Sequence, residues 1–178
     1  MACEEENEQV QTPLFQIDNK FFFYENKLYP FNFESFIKYS NYFSRKQNEL
    51  INVDIINLVD ETDPLLNISQ DSIEIMIAFC KEQEITIKDS DAVNVHSLAI
   101  KYEIPKLVQK TNEYISENFM NIIDFYLSDE ENISLNNNHL FEIIISDNLT
   151  DLITNFEEKL LSLPLTVLYR ILYRFSKN

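Results

Sequence analysis

Asp89-Ser90-Asp91-Ala92-Val93-Asn94-Val95-His96-Ser97-Leu98-Ala99-Ile100-Lys101-Tyr102-Glu103-Ile104-Pro105-Lys106-Leu107 is the stretch on which the fold turns. Asp89, Ser90 and Asp91 are helix-capping types. Ala92, Val95, Ala99 and Tyr102, with Leu98 beside them, then recur at three- and four-residue spacing. That period puts them on one face of a helix and predicts a buried stripe. Pro105 suits the first turn of a second helix, where a missing N–H leaves no bond unmade. This second helix carries Leu107, Val108, Thr111 and Ile115 and is predicted to run to about residue 118.

Toward the amino terminus the period shortens. Leu14-Phe15-Gln16-Ile17, Lys20-Phe21-Phe22-Phe23-Tyr24 and Lys27-Leu28-Tyr29-Pro30-Phe31 read as strands, separated by Asp18-Asn19 and Glu25-Asn26. Pro30 cannot donate to a ladder, so the third strand is predicted at an edge or ending there. Asn32 is a capping residue for a helix through Phe33, Phe36, Ile37 and Ser40, ending near Ser44. Residues 47–63 fit neither period well and are assigned helix; Leu65 to Ile68 is a short strand candidate. Asp71 and Glu74 form a capping-box pair before Ile73, Met76, Ile77 and Cys80. Ile85-Thr86-Ile87 reads as another short strand.

Beyond residue 118 the pattern is helical. Ile122, Ile123, Tyr126 and Leu127 form a short amphipathic segment, and residues 129–138 an acidic, Asn-rich loop. Leu140, Ile143 and Ile144 begin the next helix. Asn148 and Asp151 cap another, with Leu149, Leu152, Ile153, Phe156 and Leu160. Pro164 starts the last helix, in which Leu165, Leu168, Leu172 and Phe175 share one face. The reading is therefore α+β: a small sheet with a cluster of helices, then an all-helical extension. Residues 1–12 form a disordered acidic tail, 13–118 the mixed domain and 119–178 the extension. Ile73, Ile77, Val95, Leu98, Ala99, Leu107 and Ile115 are predicted buried.

Composition excludes several chemistries. The chain of 178 residues has no glycine. A phosphate-cradling loop, a dinucleotide fingerprint, a nucleophile elbow and an EF-hand loop all need glycine in their usual form. Tight turns must then fall to Asn and Asp, which tolerate left-handed dihedrals. Fourteen basic and 30 acidic residues give a net charge of −16. Such a chain repels phosphate backbones and anionic membranes, so neither nucleic acid nor membrane is an expected partner. No basic start with an apolar run marks a secretory signal, and no stretch approaches the roughly 20 apolar residues of a membrane span. The expected compartment is the cytoplasm, with the nucleus as alternative.

Candidate chemistry is sparse. Cys3 and Cys80 are too few for a four-ligand zinc site or a disulfide framework, and Cys80 lies on an apolar helical stripe as a core thiol. His96 and His139 have no partner motif and read as structural or surface residues. The acids of Glu4–Glu8 and Asp129–Glu131 read as solvated charge, and Ser40, Ser69 and Ser97 lack an adjacent base. No catalytic residue, cofactor, metal or small-molecule substrate is expected.

Two short phrases carry a family likeness. Ser40-Asn41-Tyr42-Phe43 ends the first helix, and Val95, Leu98, Ala99, Tyr102, Ile104 and Leu107 follow at a fixed spacing later. Their order within a β-rich start, a helix, a short strand and two joined helices resembles the BTB/POZ fold, over roughly residues 14–118. Leu161-Ser162-Leu163-Pro164-Leu165 to Tyr169-Arg170-Ile171-Leu172 is similar to the helical segment preceding ankyrin repeats in divergent protist BTB proteins. The chain departs from the pattern at Asn32, where the family often has His, and at Lys81-Glu82-Gln83. It also lacks an apolar-x-Glu loop before Glu49.

The resemblance implies a non-catalytic protein–protein interaction module, a scaffold or oligomerisation unit whose partner is another protein, including itself. An alternative is the substrate adaptor of a cullin-type ubiquitin ligase. Candidate interface residues are Phe22, Tyr42, Phe43, Tyr169 and Tyr173. Alternation along Phe21-Phe22-Phe23 must turn at least one ring away from the sheet's buried side. Phe21 and Phe23 are expected to fill the core face, with Phe22 under a loop or on an assembly edge. The last helix is expected to bury its Leu165–Phe175 stripe on Leu152, Phe156 and Leu160, with Tyr169 and Tyr173 as the docking candidates.

Overall fold

The computed structural model describes residues 19–58, 68–128, 142, 145–146, 149–161 and 163–177. The expected acidic tail, the strand at 14–17, most of the strand at 65–68, the loop at 129–138, Leu140, Ile143, Ile144 and the side chains of Asp151 and Phe156 lie outside them, as does Asn148. The architecture is α+β and mostly helical: one three-stranded sheet and eight helices among the described residues.

Strands β1 (Asn19–Tyr24) and β2 (Lys27–Asn32) form an antiparallel hairpin in which Phe22 faces Tyr29 and Lys20 faces Phe31. Glu25 and Asn26 make the turn at φ 47° and 62°. Both residues being left-handed gives the loop a twist that matches its strands. Phe22, Tyr24, Tyr29 and Phe31 point inward and are buried. Phe21 and Phe23 point outward, the reverse of the expectation, because Phe22 shares the face of Tyr29 and Phe31, which meet the helices. Phe22 stacks on Phe31 with ring centroids 4.1 Å apart and meets Phe36 edge-on at 5.3 Å. Aromatic pairs of this kind contribute about 0.5–1.5 kcal/mol each beyond area burial.

Asn32 caps α1 (Phe33–Tyr39), as the sequence predicts: its side chain accepts from the Ser35 N–H at 2.7 Å. The helix does not reach Ser44. It breaks at Ser40, whose extended backbone (φ −112°, ψ 120°) ends α1 and whose side chain caps α2 (Asn41–Arg45). Of the predicted 47–63 helix, the described residues 47–58 are helical in α3 (Gln47–Leu50) and then enter β3 (Ile55–Asn57); residues 59–63 lie outside the described residues. β3 runs parallel to β1 with Phe21 opposite Ile55, giving the order β2-β1-β3. Lys20 secures this crossover: its ammonium donates to the carbonyls of Ile51 (2.9 Å) and Val53 (2.7 Å) and lies 4.8 Å from the Phe33 ring centre.

Helix α4 (Gln70–Cys80) starts two residues earlier than the Asp71–Glu74 pair suggests. Ser69 is its cap, accepting from the Ser72 N–H at 3.1 Å, while Glu74 reaches across to Lys27 at 3.5 Å. Residues 83–88 carry no strand. Helix α5 (Asp89–Lys101) has Lys88 at its cap position with no side-chain capping bond. The acids predicted to cap it bond elsewhere. Asp91 accepts from Ser69 Oγ at 2.9 Å, and Asp89 from the Tyr114 hydroxyl at 2.9 Å.

Every residue from Asp91 to Ala99 is buried. The reason is that α5 stands between two apolar clusters. Val95, Leu98, Ala99 and Tyr102 face the sheet, α1, α2 and α4; Ala92 and Val93 face a second cluster with Ile115, Phe119, Ile122 and Ile123. Two of its buried polar side chains bond internally here: His96 Nδ1 lies 2.8 Å from Thr111 Oγ1, and Ser97 donates to the Val93 carbonyl at 2.8 Å. All seven predicted core residues are buried.

Helix α6 (Pro105–Ser128) is two helical stretches that meet where the sequence predicts an end, at residue 118. It kinks there: Asn118 is off-helical (φ −113°, ψ 17°), and its amide donates to the Tyr114 carbonyl at 3.0 Å. The chain continues in α7 (Leu149–Leu161) and α8 (Leu165–Phe175). α8 packs through Val167 and Ile171, with Leu160 and Leu163, while Leu165, Leu172 and Phe175 of the predicted stripe face solvent and Leu168 is half-buried. No described helix is long and apolar enough to cross a membrane.

Candidate interaction surfaces

The two family-like phrases lock onto one another. Ser40 Oγ accepts from the Phe43 N–H at 3.1 Å and donates to the Tyr102 carbonyl. The Asn41 N–H donates to the Glu103 carbonyl at 2.9 Å. Tyr42 meets the Tyr102 ring edge-on at 5.7 Å, and Arg45 grips both Glu103 carboxylate oxygens at 2.7 Å. This junction joins the α1–α2 break to the α5–α6 corner.

It also settles which candidate residues have a free surface. Phe22 and Phe43 have no solvent exposure and belong to the aromatic core. Their assignment as interface residues is corrected: the register of the hairpin and the capped turn at Ser40 aim both rings inward. Tyr42 is half-buried. Tyr169 and Tyr173 are exposed and stack on one another at 6.2 Å.

Around those tyrosines lies an apolar face. Leu165 is 81% exposed and Tyr169 67%, with Leu172, Tyr173 and Phe175 also open to solvent. Leu165, Leu168, Tyr169, Arg170 and Leu172 line a shallow groove of about 550 Å³. Arg170 is anchored to the buried Glu142 carboxylate, with Nε at 2.7 Å and Nη2 at 2.6 Å. This ion pair fixes the rotation of α8, so the apolar face is presented rather than turned in.

A second groove, of about 510 Å³, runs along the corner between α5 and α6. Ile100, Pro105 and Val108 form its floor, with Glu103, Gln109 and Glu113 around it. Ile100 is 52% exposed. Sequence reasoning missed this site, though one signal existed: Ile100 is apolar yet off the α5 stripe.

Titratable groups are mostly spent on structure. Burial pushes the Cys80 thiol up to about 12, as befits an inert core cysteine. Tyr24 also rises to about 12, through burial first and the Glu25 carboxylate second. The hydrogen bonds from Lys38 and Tyr39 hold Glu82 below the usual carboxylate range. Among the described residues no three or more His, Cys, Asp or Glu side chains gather where they could hold a metal. No protein-family model matches the chain, and no curated protein matches it in sequence.

Proposed function

We propose that the chain is a non-catalytic protein–protein interaction module of BTB/POZ type, acting as a scaffold or oligomerisation unit. One observation carries this reading: α8 keeps a broad apolar face in solvent, while buried polar groups such as Ser40, Asp91, His96 and Thr111 are committed to internal bonds. Contiguous exposed apolar surface on a folded chain marks a contact site for another macromolecule. The mutual docking of Ser40–Phe43 and Tyr102–Glu103 supports the BTB-type reading, since it gives a physical reason for those two phrases to occur together. Capture of partners from the source cell by cross-linking tests the proposal. A stoichiometric partner held by the wild-type chain and lost from the Leu165→Glu/Tyr169→Glu variant is expected. A cullin in that position would specify the adaptor role. An identical capture profile for wild type and variant would overturn the reading.

A further inference from the structure

We draw no further inference here: the strongest candidate, the solvent-facing apolar face of α8 around Leu165, Tyr169 and Tyr173, belongs to the surface already described, and nothing in the structure shows what covers it.

Discussion

Ser40 and Tyr102 are 62 residues apart in sequence, yet the hydroxyl of one bonds the carbonyl of the other inside the core. The same oxygen caps α2. Ser40→Ala removes both bonds at a site 1% exposed. The lost cap and the orphaned carbonyl together should destabilise the fold by about 2–4 kcal/mol. Urea melts measure it, and a loss below about 0.5 kcal/mol would contradict the dual role.

Leu98→Ala should cost roughly 2–5 kcal/mol, as a cavity in a closed core. The sequence alone suggests a far smaller loss for His96→Ala. Its burial and its bond to Thr111 change that expectation. The variant should lose about 1–3 kcal/mol, because Thr111 Oγ1 is left with one partner fewer in a dry site.

Stability should fall on the alkaline side. Cys80 rises from 9.0 to about 12 and Tyr24 from 10.0 to about 12 on folding. A raised acid keeps its proton in the native state, so its contribution is full below the unfolded value and is lost as pH climbs toward 12. Midpoints of urea unfolding should therefore decline progressively from about pH 9. In a Cys3→Ser background, a thiol reagent at pH 8 should label Cys80 only after denaturant is added. Labelling of the native chain would refute the enclosed site.

Within α8, neighbouring residues should differ sharply. Ile171→Ala should cost roughly 2–5 kcal/mol and Leu165→Ala within about 0.5 kcal/mol. Thermal melts of the pair decide which face packs inward; equal losses would mean that both do.

The hairpin turn offers a gain. Glu25 is a long side chain held in a left-handed conformation that costs roughly 1–2 kcal/mol. Glu25→Asn with Asn26→Gly gives the sequence preferred by such turns and should raise the melting temperature by about 2–4 °C. No change would indicate that the Glu25 side chain offsets its own backbone strain.

Much of the fold is legible from local chemistry. Asn32 as a cap, the Glu25-Asn26 turn, the start of α6 and the seven core positions follow from period and residue type. What escapes is set by tertiary partners. β3 has only three residues, and Ile55 and Ile56 show no alternation because its outer side is left in solvent. The α8 stripe is amphipathic, but period alone does not say which side meets protein; the Arg170–Glu142 pair and Ile171 decide that. The turns were expected of Asn and Asp, whereas three of the four left-handed residues among those described are glutamates: Glu25, Glu82 and Glu103. Glu82 and Glu103 sit just past the ends of α4 and α5 and bind Lys38 and Arg45. Their charge partners offset a strain that residue type alone discourages.

The enclosure of α5 bears on how the molecule comes apart. Its two faces belong to different apolar clusters, so neither can open without stripping one side of the same helix. Unfolding should therefore proceed as one event for both, with a single transition by every probe. The amide hydrogens of residues 93–99 should exchange with solvent last, at rates set by global unfolding, while those of β3 exchange early.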